Sequence, residues 1–236
     1  MMSSLTRSLW FVWPLLGTAL AAGPDAEDNL RWHRYAAPVF PIEISQTTVR
    51  DGFATVAFTF DDDGRITDQV VLAASHPLFA EAVRSAVAQW QLDTRTLPAT
   101  ERRDTRRFDF LRNGSIVGMS QRDALKSALD PFGDLAADPI VTLKESVLSA
   151  PLKNPAGGQP EFPKELSGRI REGMATVEFV VDAEGRVRVP AVTSASHPAF
   201  GAAALASVRA WRFAPPQHQG RSVQIMTERT VRFLAQ

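Results

Sequence analysis

Two stretches of the chain decide the fold, ASHPLFAEAVRSAVAQW at 74–90 and ASHPAFGAAALASVRAW at 195–211. They are two versions of one segment, and the similarity extends toward the N-terminus of each. When the chain is shifted by 121 positions, 17 of the 39 positions from Gly52 to Trp90 are identical to their counterparts. This period is too long for a solenoid repeat, so it indicates a duplicated domain.

Each stretch has the spacing of an amphipathic helix. Its apolar face carries Phe79, Ala82, Val83, Ala86, Val87 and Trp90 in the first stretch, and the spacing recurs from Phe200 to Trp211 in the second. One such face packs on a core, so both tryptophans are expected there. Pro77 and Pro198 suit the first helical position, which needs no N–H. Ser75 and Ser196 are expected to cap the free amides of the first turn.

A hairpin is predicted before each helix. ATVAFTF at 54–60 and ATVEFVV at 175–181 alternate with period two, which predicts half-buried strands. DDDGR at 61–65 and DAEGR at 182–186 suit tight turns, because Gly accepts a positive φ. Pro190 lies in the strand after the second turn and predicts a sheet edge or a bulge there.

A further alternating run follows each helix, VQIMTERTVRFL at 223–234 and the shorter TRRFDFLR at 105–112. Strand, hairpin, strand, helix and strand make an antiparallel sheet with a helix on one face. The predicted fold class is therefore α+β, with two tandem small domains at 38–113 and 159–236. Each is expected to be a three-stranded antiparallel sheet with one helix packed on it.

The segments outside these domains are interpreted from composition. Residues 114–158 contain several Pro and Gly residues and are interpreted as a linker, with a short helix at 120–130 and a helix or strand at 141–150. Residues 23–37 are interpreted as an N-terminal extension. Residues 1–22 combine a positive charge, an uncharged apolar run and small residues at the end, which predicts a secretory signal peptide. An uncleaved N-terminal anchor is the alternative.

The composition argues against several classes of function. Equal numbers of basic and acidic residues, 26 of each, argue against a nucleic-acid partner. The chain has no cysteine, so it has neither disulfides nor thiol nucleophiles. No common catalytic or nucleotide-binding motif is present. The sequence therefore predicts a protein that is not an enzyme and that has no cofactor and no metal site.

The histidines and acidic turns invite a sharper interpretation. His76 and His197 each stand beside a helix-starting proline without other ligands at metal-binding spacing, so turn residues are favoured over metal ligands or bases. A calcium loop around DDDG at 61–64 would need carboxylates at its first and twelfth positions, but these are Thr59 and Val70, so a solvated turn is favoured. The basic cluster of Arg102, Arg103, Arg106 and Arg107 could bind an anionic polymer. Acidic residues interleave with it, so a solvated strand edge is favoured.

The order of motifs in the second repeat resembles the C-terminal domain of the TonB family, energy transducers of the Gram-negative envelope. The motifs are QPEFP at 159–163, DAEGRV at 182–187, the amphipathic helix, WRFAPP at 211–216 and the closing strand. The first repeat is more diverged. It keeps Gly64 and Trp90 but lacks the Arg-Phe-x-Pro that follows the tryptophan in the family.

This resemblance implies a periplasmic protein that binds partner peptides or proteins, such as an outer-membrane receptor, by strand addition along the closing strand. The partner-binding residues it implies are Gln159, Pro160, Val223, Ile225, Thr227, Arg229 and Val231. An exposed edge presents unpaired N–H and C=O groups, which strand addition uses directly.

Two alternatives stay open. The first is an anchored energy transducer that drives TonB-dependent outer-membrane receptors, although the apolar run at 9–22 lacks the histidine found in the family's anchor. The second is purely structural: the closing strand pairs with the other repeat or with a second molecule, so that no edge is free. Homo-oligomers belong to this second alternative.

Overall fold

The computed structural model describes residues 31–46, 49, 51–96, 102–111, 116–119, 139–153 and 155–235. The predicted signal segment at 1–22 and the predicted helix at 120–130 lie outside these residues. In the part of the chain that the structure describes, neither helix has the length and hydropathy that a membrane crossing requires.

Residues 38–113 are called the first half here, and residues 159–236 the second half. The elements up to the end of the first half are β1 (Arg31–Arg34), β2 (Gly52–Phe60), β3 (Ile66–Ala74), α1 (Pro77–Val87), β4 (Gln91–Asp93) and β5 (Arg103–Phe110). Two strands follow between the halves, β6 (Ile116–Met119) and β7 (Ile140–Lys144). The second half contains β8 (Glu172–Val181), β9 (Val187–Ala195), α2 (Pro198–Arg209), β10 (Gln217–His218), β11 (Arg221–Ser222) and β12 (Gln224–Leu234).

Eight of these strands form one mixed sheet in the order β6-β5-β2-β3-β7-β12-β8-β9. Its strand pairs are antiparallel except for β7 and β12, which are parallel. The α+β class is confirmed. The two separate three-stranded sheets are not confirmed, because β7 pairs with β3 on one side and with β12 on the other. The segment interpreted as a linker thus supplies a central strand.

Within that sheet, the two halves have the same local plan. The closing strand lies beside the first strand of the hairpin in each, giving β5-β2-β3 and β12-β8-β9. Phe79 of α1 stacks on Phe110 of β5 at 4.6 Å between ring centroids. Phe200 of α2 stacks on Phe233 of β12 at 5.0 Å. Each helix therefore covers one face of its own three strands.

The described residues form three buried clusters. One lies under α1 and includes Phe58 and Trp90, and another lies under α2 and includes Phe179. The third joins the sheet faces that point away from the helices. Its members are Phe53, Ala57, Val70, Leu72, Ala73, Val180, Val189 and Met226, drawn from both halves. Burial of apolar surface is the main favourable term in folding, so this shared cluster makes the halves one packed body.

The helix starts differ from the expectation in one respect. His76 and His197 are the N-cap residues, and the Nδ1 atom of each accepts a hydrogen bond from the amide two residues later, at 3.1 Å. The prediction that Ser75 and Ser196 are the caps is wrong. Their hydroxyls instead accept hydrogen bonds from the amides of Phe53 and Met174 in the adjacent strands. The Pro at the first turn is confirmed in both helices.

The hairpin turns and the proline position are confirmed. Gly64 and Gly185 have φ of 76° and 81°. A Cβ at Gly64 would lie 1.9 Å from the carbonyl oxygen of Leu92, so only glycine fits. Pro190 lies in β9, the last strand of the sheet, opposite an irregularity in its pairing with β8.

The two tryptophans differ in burial. Trp90 is 3% exposed, and its Nε1 donates to the carbonyl of Ala36 at 2.7 Å. Trp211 is only half-buried, and its Nε1 donates to the carbonyl of Gly158 at 3.0 Å. Core packing is therefore confirmed for Trp90, whereas Trp211 lies at the margin of its cluster.

Candidate protein-interaction edge

Strand β12 has one filled side and one side that is mostly open. Along its length, from Ile225 to Leu234, it pairs with β8 without any register shift. On the other side β7 pairs only with Gln224–Met226. Among the described residues, no strand pairs with Thr227–Leu234 on that side. Among the described residues, pairing of the closing strand on both sides therefore holds only for Ile225 and Met226.

The direction of the main-chain groups follows from one hydrogen bond. The amide of Ala235 donates to the carbonyl of Arg171 at 2.8 Å, in register with the β12–β8 ladder. Along an antiparallel pair, such bonded positions alternate with positions whose N–H and C=O point the other way. Odd-numbered residues of β12 therefore bond to β8. The N–H and C=O groups of Glu228, Thr230, Arg232 and Leu234 point to the open side.

An ion pair marks where β7 leaves β12. Arg229 donates from Nη1 and Nη2 to the two carboxylate oxygens of Glu145, each at 2.8 Å, and Thr227 donates to the same carboxylate. These hydrogen bonds, those from Arg229 foremost, lower the pKa of Glu145 from 4.5 to about 2. Glu145 begins the turn after β7, so this ion pair bounds the open stretch at its N-terminal end.

The strand that precedes this ion pair is firmly held. Thr142 of β7 is buried and donates to the carbonyl of Leu72 at 2.6 Å. The side-chain amide of Gln224 donates to Thr142 at 2.7 Å and to the carbonyl of Val71 at 2.8 Å. Buried polar groups with satisfied partners fix one arrangement, so β7 is a fixed neighbour of β12.

Apolar side chains flank the open stretch on both faces of the sheet. Val231 and Phe233 point toward α2 and are buried. Leu234 and Met174 are on the opposite face, 70% and 51% exposed. Leu234 thus leaves an exposed apolar side chain on the edge strand itself, beside the unpaired main-chain groups.

The structure places five of the predicted partner-binding residues on or next to β12. Ile225, Thr227 and Val231 are buried, while Arg229 and Val223 are half-buried. The main-chain groups of the odd-numbered residues within β12 face β8, so an added strand would meet their side chains rather than their amides. That they contact a partner stays a prediction.

Gln159 and Pro160, the other two, lie elsewhere. They follow Gly158, whose carbonyl accepts hydrogen bonds from Ser207 and Trp211 at the C-terminal end of α2. Gln159 is exposed and Pro160 half-buried. They also stay predictions.

The histidines act in the scaffold. His76 and His197 cap different helices, and His218 lies 3.0 Å from the carbonyl of Val147 through its Nδ1. The described residues include no group of three or more His, Asp or Glu side chains that could hold a metal ion. A structural role for His76 and His197 is confirmed by their hydrogen bonds.

The basic cluster is built into the fold. The partners of its four members are carboxylates: Arg102 with Asp62, Arg103 with Glu178, Arg106 with Asp104, and Arg107 with Asp109. The interpretation as a solvated strand edge is wrong, because β5 lies between β6 and β2 and these guanidinium groups are largely buried. Spacing i, i+2 places residues on one face of a strand, so two of these pairs were visible in the sequence.

A comparison with protein families agrees with the geometry of the second half. The family described as Gram-negative bacterial TonB protein C-terminal has a model that matches residues 158–234. A TonB C-terminal domain is present there. This TonB C-terminal domain includes β8, β9, α2 and β12, and so contains the open edge, while the first half lies outside the match. Comparisons with curated proteins and with solved structures found no match.

Proposed function

We propose that this protein is a periplasmic interaction protein whose second half binds an extended segment of another protein by adding it as a strand to β12. The main support is the row of outward-pointing groups at Glu228, Thr230, Arg232 and Leu234. Strand addition draws its affinity from such groups. The TonB C-terminal family consists of non-catalytic protein-interaction domains of the Gram-negative envelope, which agrees with this role.

The proposal assigns one such site to the chain. In the first half, β6 already pairs with the outer side of β5, from Arg107 to Phe110. The corresponding side of β12 has no such strand among the described residues. The first half then serves as support for the second, although it derives from the same duplicated unit. We keep Gln159, Pro160, Val223, Ile225, Thr227, Arg229 and Val231 as candidate partner contacts.

A pair of substitutions at one residue tests strand addition. Thr230 is exposed, its amide faces the open side, and its hydroxyl contacts that of Thr176 at 2.9 Å. Thr230→Pro and Thr230→Val both remove the hydroxyl, but only the proline removes the N–H. A photo-crosslinker at Arg232, used in the periplasm, should capture a partner with the Val variant and lose it with the Pro variant.

The outcomes of this test are distinct. Equal capture by both variants of Thr230 contradicts strand addition at β12. Capture of a second copy of the chain indicates that the edge serves self-association, and a different protein indicates a heterologous partner. Circular dichroism of both variants checks that each is folded, since proline is tolerated at a strand position whose N–H is unpaired.

The second candidate function is an anchored energy transducer, which the family match also supports. It requires that residues 1–22 remain on the mature protein, whereas the interaction protein proposed above is released from them. Mass spectrometry of the N-terminus of the mature protein distinguishes the two. A chain that begins near Ala22 or Gly23 contradicts the anchored form, and a chain that retains Arg7 contradicts the released form.

A further inference from the structure

In the first half, β6 pairs with the side of β5 that corresponds to the open side of β12. β6 pairs antiparallel with β5, with Arg107 opposite Met119 and Phe110 opposite Ile116. The two closing strands can be aligned through their common neighbour. Ala54 is opposite Phe108, and its counterpart Ala175 is opposite Val231.

This alignment makes Arg107–Phe110 equivalent to Thr230–Phe233. The stacked pairs agree with it, because Phe110 and Phe233 contact the equivalent phenylalanines of α1 and α2. The stretch that β6 covers in the first half thus corresponds to the stretch of β12 that no strand covers among the described residues.

The main-chain groups agree as well. The amide of Phe60 donates to the carbonyl of Arg102, so the even-numbered residues of β5 bond to β2. By alternation, Arg107 and Asp109 point toward β6. Their equivalents are Thr230 and Arg232, which point to the open side of β12. A strand with the register of β6 would therefore meet donors and acceptors at matching positions.

The side chains of β6 indicate what the partner strand carries. Ile116 packs on the cluster under α1. Gly118 lies against the ring of Phe108, where a Cβ would be 3.6 Å from Cε1, an ordinary contact. In the second half the smaller Val231 replaces Phe108, so the position opposite Val231 has room for a side chain larger than that of glycine. Leu234 and Met174 offer apolar contact on the other face.

We propose that the partner strand runs antiparallel to β12 in the register of β6. It places a branched apolar residue opposite Phe233 and its C-terminal end next to the Glu145–Arg229 ion pair, while the position opposite Val231 accepts residues larger than glycine. This inference rests on the proposed function and adds the direction, register and side-chain pattern of the segment that binds. Antiparallel pairing is also slightly more stable per residue than parallel pairing.

A peptide with the chain's own β6 sequence is the probe. The peptide GSIVGMSQ, residues 114–121, is prepared with a nitroxide at its N-terminus or at its C-terminus and added in excess to ¹⁵N-labelled protein. The N-terminal label should broaden the amide signals of Phe233 and Leu234 more than that of Thr227. The C-terminal label should do the reverse.

Methylated peptides provide the matched control. Val117 and Met119 face β5 through their amides, so N-methylation of both should weaken binding to β12 by about tenfold or more. N-methylation of Ile116 and Gly118, whose amides point away, should leave binding within about twofold of the parent peptide.

The outcomes of these experiments separately test the direction, the site and the register of the added strand. Broadening with the two labels exchanged means parallel addition, which overturns the inference and leaves strand addition standing. Absence of broadening along β12 with either label overturns the inference, and the Thr230 variants then judge the proposed function separately. Equal effects of the two methylation patterns overturn the register.

Discussion

The ring of Phe200 stacks on that of Phe233 at an interplanar angle of 29°, with Gly173 directly beside the pair. This contact fixes the C-terminal end of β12 against the start of α2. A Cβ at Gly173 would lie 2.0 Å from the Phe200 ring, which is closer than any real contact allows. The glycine therefore sets the distance between the helix and the strand that carries the open edge.

Gly173→Ala should destabilise the protein by about 1–3 kcal/mol, because the ring must move out of a packed core. Urea unfolding measures the change as a lower midpoint. Gly158→Ala is the control: its Cβ would lie 3.6 Å from that of Ala210, so its effect should stay within about 0.5 kcal/mol. Similar losses in the two variants would contradict the packing argument.

Trp90→Ala should cost about 3–5 kcal/mol, because the indole is buried among Trp32, Tyr35 and Phe58. Trp211→Ala should cost less, about 1–3 kcal/mol, since that ring is half-buried. Denaturant unfolding followed by circular dichroism would measure both costs, since this signal does not depend on the removed fluorophore. Equal costs would show that the two rings are packed alike in solution.

The Glu145–Arg229 ion pair should make stability depend on acid pH. The pKa of Glu145 in the folded protein is lowered to about 2, below its ordinary value of 4.5. The stability it contributes is therefore complete above about pH 4.5 and is lost as pH falls toward 2.

Glu145→Gln should reduce the loss of stability between pH 5 and about pH 2, measured as the urea midpoint at each pH. Glu172→Gln, at an exposed carboxylate of β8, is the comparison. If the two variants have parallel midpoint curves, the ion pair does not account for acid sensitivity.

Asp68 and Arg188 should couple the two halves. The guanidinium Nε of Arg188 donates to both carboxylate oxygens, at 3.0 Å and 3.1 Å, and the same carboxylate accepts from the Val189 amide. A double-mutant cycle with Asp68→Asn and Arg188→Gln should give a coupling energy of about 0.5–3 kcal/mol. The exposed pair of Asp63 and Arg65 should give at most about 1 kcal/mol. A coupling near zero for Asp68 and Arg188 would mean that this contact between halves is absent in solution.

His197→Ala should cost about 1 kcal/mol, because it removes the acceptor for the Ala199 amide. The sequence pattern alone assigns the cap to Ser196 instead, which would leave His197 without a capping role. His197→Asn should recover most of the loss, as asparagine is a good N-cap. Thermal unfolding of the three proteins provides the comparison. An asparagine variant as unstable as the alanine variant would assign the loss to something other than capping.

Much of each half could be predicted because its signals are local. The period-two pattern from Ala54 to Phe60, the glycine at Gly64 and the proline at Pro77 each determine structure within a few residues. The helix cap was assigned one residue too early, since His76 and Ser75 both carry an acceptor and only coordinates show which one reaches the amide of Leu78.

The site depends on contacts that are distant in sequence. From the sequence alone, the segment that contains β7 is interpreted as a helix or strand within a linker. Its composition does not show that Thr142 donates a hydrogen bond to the carbonyl of Leu72. Glu145 and its ion-pair partner Arg229 are separated by 84 positions in the sequence. Which amides of β12 point outward follows from the pairing of Ala235 with Arg171, and register across a sheet is a tertiary property.

The position of β7 has a consequence for any attempt to take the molecule apart. If the chain were cut between the halves, either β3 or β12 would lose β7 as its neighbour and would have an unpaired edge. The cut would also expose Phe53 and Leu72 on one fragment and Val189 and Met226 on the other. Unpaired strand edges and exposed apolar surfaces promote aggregation. We therefore expect that neither half folds to a soluble fragment when it is expressed without the other.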